Sequence, residues 1–241
     1  MNTTLNDKCT VANLIRTMQS KNYRLFTHNN NKEFNLNIIC VRSKDRNSGT
    51  FNDIEVVMWQ DSNGKWLSRN FSCTTDPSDI SLRTMKNKLG TAIIKEGQYN
   101  GAWAFGLHKN DKDHPALIQV RQITVIRDFN KDNILNIEIP KYDFVRTTKV
   151  SDWESYTDYY VRTPVKDILV YRTNTGLFGI DNHRASKYSI LNYVGAWSEG
   201  CSVQSDYKRY MEEFIDLIKQ SLKYYPNSFT ITILDENSLV L

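Results

Sequence analysis

Apolar positions along the chain change period several times, and each change predicts a different element. Val11, Leu14, Ile15 and Met18 recur at spacings of three and four behind Thr10, a stripe with an N-cap that predicts a helix over 11–23. The polar run Thr27-His28-Asn29-Asn30-Asn31-Lys32 breaks that pattern, and the β-branched run Leu36–Val41 predicts the first strand. Short apolar or alternating runs follow at Ile54–Trp59, Lys65–Cys73, Thr91–Glu96, Ala116–Val120 and Ile123–Ile126. Turn signals such as Asp61-Ser62-Asn63-Gly64 and Asp76-Pro77 separate them, which predicts a mostly antiparallel sheet. Trp153, Tyr156 and Tyr160 fall on one helical stripe closed by Pro164. Tyr207, Tyr210, Met211, Phe214, Ile215, Leu217, Ile218 and Leu222 repeat at helical spacing and predict a long helix over 205–225, stopped by Pro226 and Asn227. Phe229–Leu234 then reads as a strand. The fold class expected is α+β with a β-rich middle, divided as residues 1–35, a helix and polar loop, and residues 36–241, a single β-rich domain.

Composition bounds this picture without redirecting it. A chain of 241 residues, 40% hydrophobic, 12% aromatic and 24% charged, can bury a full core and lies far from disordered compositions. Its 31 basic and 27 acidic side chains give a formal charge of +4, yet they are interspersed, and no basic patch interleaved with aromatics argues for nucleic acid as a partner. The N-terminus lacks the basic start and apolar run of a signal peptide, and no apolar stretch reaches membrane-spanning length. The expectation is synthesis in the cytoplasm without membrane insertion. Cys9, Cys40, Cys73 and Cys201 form no CxxC pair. The first three sit in a helix start or apolar runs and read as inert core thiols.

Cys201 differs by its position. It follows Gly200 and precedes the predicted helix near Ser205, where a helix N-terminus would supply partial positive charge and free N–H groups to a thiolate and to an oxyanion. His183 lies 18 positions upstream, after the apolar run Gly176–Ile180 read as a strand, and could act as the base. The bland alternative for any such pair is a buried thiol and a hydrogen-bonded histidine.

A histidine after a short strand, then Ser-x-Gly-Cys before a hydrophobic position, resembles the catalytic signature of the L,D-transpeptidase (YkuD-like) family; the matching residues are His183, Ser198, Gly200 and Cys201. A wider likeness runs through Asn37–Arg42, Thr74–Pro77, Gly97–Tyr99, Leu107-His108, Arg127–Asn130, Phe178–His183 and Trp197–Cys201, and resembles a divergent bacteriophage and prophage branch of that family. The resemblance implies a β-rich L,D-transpeptidase-like catalytic domain whose Cys/His site lies in 176–241. Cys201 would attack a stem-peptide amide of peptidoglycan and form a thioester, with no cofactor. His183 would act as base and then acid, its ring oriented by a backbone carbonyl near Ser198. Arg184, Glu199, Ser202, Tyr99 and His108 are the residues expected to hold substrate, His108 by lining the cleft that faces Cys201, a role the resemblance neither requires nor excludes. It also implies a phage-encoded product, with other virion proteins as further partners and the bacterial cell wall as its place of action. The family usually carries histidine where this chain has Glu199, arginine where it has Val203 and glycine where it has Arg184.

Two further readings stand beside this one. A non-catalytic virion or wall-binding protein would keep the fold without the chemistry. A zinc peptidoglycan peptidase would draw ligands from His108, Asp111, Asp113, His114 and His183. The acidic run Arg127–Asn133 lacks the glycine and terminal glutamate of an EF-hand and reads as a turn.

Overall fold

The structure is a computed structural model that describes residues 1–30, 32–129, 135 and 142–241; residues 130–133 of the acidic run lie outside them. Two helices open the chain, α1 (Thr3–Lys8) and α2 (Val11–Ser20). Thr10 caps the second as expected, its hydroxyl accepting from Asn13 N–H. The strands expected between residues 36 and 126 appear as β1 (Asn37–Arg42), β2 (Asp53–Gln60), β3 (Trp66–Thr74), β4 (Thr91–Ile94), β6 (Pro115–Gln119) and β7 (Ile123–Asp128). The glycine-interrupted strand β5 (Gly97–Leu107) joins them, and α3 (Asp79–Thr84) sits between β3 and β4. Beyond lie β8 (Phe144–Ser151), β9 (Glu154–Arg162), β10 (Asp167–Gly176), β11 (Asn182–Arg184), β12 (Ser202–Gln204) and β13 (Phe229–Asp235).

These strands form two sheets. Eight close a barrel in the order β1-β13-β5-β6-β11-β12-β3-β2, and five make a second sheet, β4-β7-β10-β9-β8. Pairing is antiparallel except for β1 with β13 and β11 with β12. The C-terminal helix runs over 207–221 and carries a wider π turn at Tyr210–Phe214; the Asp206 carboxylate caps it from Lys208 and Arg209 N–H. Alternation along β1 divides the core. Ile38 and Cys40 join Tyr210, Phe214 and Ile218 of that helix, whereas Ile39 and Val41 pack against Leu5, Leu14 and Met18 of α1 and α2. The arrangement is α+β and β-rich with a long C-terminal helix, as the pattern predicts; the closure of eight strands into a barrel is not part of that expectation. Cys9, Cys40 and Cys73 are buried in it.

One expectation is reversed. Trp153, Tyr156 and Tyr160 do not share a helix: the last two lie on β9, where Tyr160 stacks on Phe144 at 4.7 Å and the neighbouring Tyr159 stacks on Tyr171 at 3.9 Å. The same aromatics that mimic a 3.6-residue stripe serve as cross-strand pairs, and sheet context decides. Trp153 is left exposed at the β8–β9 turn.

Glu55 on β2 is fully buried and accepts from the side-chain amides of Asn182 on β11 and Gln204 on β12. Among the described residues, the amide oxygens of Asn182 and Gln204 find no hydrogen-bond partner. Burial raises the Glu55 carboxyl from 4.5 to about 7, against the lowering effect of those amides. The folded state therefore keeps this proton to higher pH than the unfolded chain. The stabilisation is complete below about pH 4.5 and is lost as pH rises through about 7, a change of about 3 kcal/mol. Glu55→Gln is expected to flatten the fall in melting temperature between pH 5 and pH 8, because the glutamine does not titrate, while its amide can still donate to one of the orphaned oxygens. Thermal unfolding at the two pH values checks this, and a variant slope equal to the wild-type slope contradicts it.

Candidate active site

The parallel register of β11 and β12 sets Asn182 opposite Ser202 and His183 opposite Val203. The residues just before each strand, Asp181 and Cys201, are thereby brought face to face. Ser202 N–H donates to Asp181 O at 3.0 Å, and Asp181 N–H points at Cys201 Sγ at 3.4 Å. The thiol in turn lies 3.8 Å from Gly179 O. The loop carrying Gly179 and Asp181 is pinned by Gln119 at the end of β6. Its Oε1 accepts from Phe178 and Ile180 N–H, and its Nε2 donates to Gly176 O.

The cysteine loop is fixed from behind by the turn after β3. Ser198 is buried; its hydroxyl bonds Asp76 O and Cys201 O at 2.9 Å each and accepts Gly200 N–H. Its carbonyl accepts from Ser78 N–H and the Ser81 hydroxyl, both at 2.9 Å. The same turn carries the buried Asp76, which pairs with Arg42 and Arg46. Burial, reinforced by Asp53, raises its carboxyl to about 6, while the two arginines oppose that rise. Gly200 has φ +125°, and a Cβ there would stand 2.6 Å from the backbone oxygen of Ala92 on β4.

His183 is buried, with Nδ1 2.7 Å from Arg184 O, and His114 Nε2 meets the same carbonyl at 3.2 Å. Because a carbonyl only accepts, both nitrogens carry hydrogen, and the other nitrogen of each ring is a lone pair. His183 Nε2 is buried without a partner among the described residues. Its ring stacks on His108 with centroids 4.1 Å apart, and His108 Nδ1 donates to Asp181 Oδ2 at 2.8 Å. Burial, with His108 and His114 nearby, holds the His183 imidazolium well below the ordinary histidine range, so the ring is neutral. Burial likewise pushes the Cys201 thiol up to about 12. No hydrogen bond joins Cys201 to His183 among the described residues. The resting site is therefore a neutral thiol and a neutral imidazole.

No family model, curated protein or solved structure matches this chain. The site is thus read from its own geometry. Cys201, His183, His108 and Glu199 line one cavity of about 440 Å³ between the barrel and the second sheet, together with Lys86, Lys109, Arg127, Glu154, Phe178 and Trp197. Ser198 and Gly200 shape the cysteine loop. Three residues offered for substrate binding lie elsewhere. Arg184 is buried on β11 with Nη2 on Asp113 O at 2.8 Å, because it points to the face opposite His183. Ser202 faces Cys40 at 3.6 Å, and the Tyr99 hydroxyl bonds Lys95 O and Thr124 O. None of the three lines the cavity. Glu199 does, paired with Lys86.

Two mechanistic expectations are corrected. Cys201 does not stand at a helix N-terminus, because β12 intervenes and the helix begins only after Asp206. The carbonyl that orients His183 belongs to Arg184, since that of Ser198 is already taken by Ser78 and Ser81. His183 itself lies on its own strand, β11, and residues 177–181 form a loop. The zinc arrangement finds no geometry either: His108, His114 and His183 stack or flank one another, and no three ligand-type side chains among the described residues converge on a point. Asp181 and Gln119 were not legible as site residues, because neither belongs to a recognisable spacing.

Two measurements check this geometry. Gly200→Ala is expected to destabilise the fold by about 1–3 kcal/mol and displace the cysteine loop, read by thermal unfolding; an unchanged melting temperature contradicts the close approach to Ala92. Alkylation of Cys201 by iodoacetamide should keep accelerating beyond pH 10, whereas an exposed thiol levels off above about pH 9. A plateau near neutral pH contradicts the raised thiol.

Proposed function

We propose that this chain is a cysteine-dependent enzyme acting on peptidoglycan stem peptides, which opens or exchanges an amide bond through a thioester on Cys201. The observation that carries the reading is the meeting, in one cavity, of the Cys201 thiol and an imidazole, His183, whose Nε2 is an unpartnered lone pair. That nitrogen can take the thiol proton as sulfur bonds to the substrate carbonyl carbon, and return it to the departing amine. Water or a second amine then attacks the thioester carbonyl, and the sulfur leaves with the proton regained. Cleavage follows in the first case and exchange in the second. For the oxyanion, Gly200 N–H is spent on Ser198 and Ser202 N–H on Asp181 O, whereas Cys201 N–H engages no acceptor among the described residues. It is the main-chain donor left for that role.

The cavity chemistry suits a peptide with charges of both signs. Lys86, Lys109 and Arg127 face Glu154 and Glu199, with Phe178 and Trp197 as apolar walls. The L,D-transpeptidase likeness, a phage origin and action at the cell wall belong to the same proposal and rest on the residues His183, Ser198, Gly200 and Cys201.

A competing reading is a non-catalytic wall-binding or virion protein. It draws support from the raised thiol and from the lack of a resting Cys201–His183 hydrogen bond. Turnover separates the two. Cys201→Ala should abolish release or exchange of peptides from purified peptidoglycan, EDTA should leave the wild type active, and mass spectrometry of products distinguishes cleavage from cross-linking. Equal activity in the variant overturns the cysteine mechanism, and no activity in the wild type favours the binding protein.

A further inference from the structure

Asp181 touches the site at three points. Its main-chain N–H meets Cys201 Sγ at 3.4 Å, its Oδ2 accepts from His108 Nδ1 at 2.8 Å, and its Oδ1 accepts Gln119 N–H at 3.1 Å. Both Asp181 and His108 are buried, and the His108 ring lies on that of His183 with planes 22° apart. His108 also lines the cavity that holds Cys201. A carboxylate on one ring nitrogen fixes both tautomer and orientation of an imidazole. A ring stacked on a second ring restricts that one too. We propose that Asp181 and His108 are a positioning pair for Cys201 and His183: the carboxylate locks His108, His108 locks the His183 ring by stacking, and the Asp181 main chain holds the sulfur.

The inference rests on the cysteine reading for its catalytic consequence, but its geometry stands without it. Its charge logic is specific. When His183 takes the thiol proton, the new imidazolium has no carboxylate of its own, since its Nδ1 faces the Arg184 carbonyl. The balancing charge the contacts provide is Asp181, one stacked ring away through His108. Other groups acting on the imidazoles are Lys109 and Asp111 on the β5–β6 turn and Arg184 on β11; Glu199 on the cysteine loop acts on Cys201, and the Tyr210 hydroxyl of the C-terminal helix on Arg184. Removing the carboxylate takes away that balancing charge, so the His183 imidazolium becomes harder to form. The histidine that the transpeptidase signature carries between serine and glycine is Glu199 here, and His108 brings an imidazole to the cavity from a different part of the chain.

Asp181→Asn keeps the shape and the main-chain N–H, and His108→Phe keeps a stacked ring without nitrogens. Each is expected to lower kcat on purified peptidoglycan roughly tenfold to a hundredfold with KM changed less than about twofold. In Asp181→Asn the acid limb of the kcat/KM profile should move to lower pH by at least about half a unit. Unchanged kcat and an unmoved limb in both variants overturn the proposal, as does a loss that only parallels a lowered melting temperature. A substrate-free reading on wild-type protein uses nitrogen NMR of the rings. Protonation of His108 and His183 at Nδ1 supports the pair, and His108 protonated at Nε2 overturns it. If Cys201→Ala stays active while the NMR midpoint still falls in Asp181→Asn, the enzyme reading fails and the pair survives. If Cys201→Ala is inactive and the midpoint stays in place, the pair alone falls.

Discussion

Between β6 and β3 the barrel is closed by two strands of three residues each; they carry His183 and, just ahead of each strand, Asp181 and Cys201. β11 shares a single register position with β6, and β12 shares two with β3, so main-chain pairing alone gives them little hold. Glu55 makes up the difference. Its two oxygens take one amide from each strand, at Asn182 and Gln204, and tie both to the long strand β2. Alternation then does the rest: with Asn182 turned to Glu55, His183 must face the other way, toward the cavity and the second sheet. A buried carboxylate is a costly tether, as its raised pKa records, and it makes the hold on the two strands weaken as pH rises.

The reactive groups are kept neutral by the same burial. Desolvation raises the thiol and lowers the imidazole, so the two shifts act in one direction, against an ion pair at rest. This differs from a cysteine activated by a helix end, where the thiolate is stabilised before substrate arrives. Here the lone pair of His183 Nε2 is the one buried ring nitrogen left unsatisfied among the described histidines, so it is free to accept the thiol proton even though burial works against a standing imidazolium. For the thioester chemistry proposed above, proton transfer in step with sulfur attack suits such a site better than a standing thiolate does.

How much of this was legible in the sequence follows from the range of the forces involved. The α2 stripe and its Thr10 cap, the β1 to β3 runs and the long C-terminal helix are local patterns, and the structure has each within a few residues. Trp153, Tyr156 and Tyr160 misled because period alone cannot separate a helical stripe from strand residues paired across a sheet. Within the site, Cys201, His183, Ser198, Gly200, Glu199 and His108 could be singled out from motif and residue type. Arg184 and Ser202 could not be excluded, because facing direction on a three-residue strand depends on its register with β12 and on Glu55, more than 120 positions away. Asp181 was hidden for a related reason: its partners are His108 and Gln119, 73 and 62 positions distant.

The carbonyl of Arg184 shows how little freedom the imidazole cluster keeps. It receives His183 Nδ1–H and His114 Nε2–H together, which fixes two tautomers with one acceptor, while Asp181 fixes the third ring. Three rings with centroids 4.1 to 5.3 Å apart cannot readily all be charged, since each added proton raises the cost of the next. A cluster so constrained can hold and release one proton over a small distance without rearranging its heavy atoms. That is what an acyl transfer asks of its base when the proton leaving the thiol must reappear on the departing amine. The glycine in front of Cys201 and the serine behind it set the position of the sulfur; the imidazole cluster sets where its proton can go.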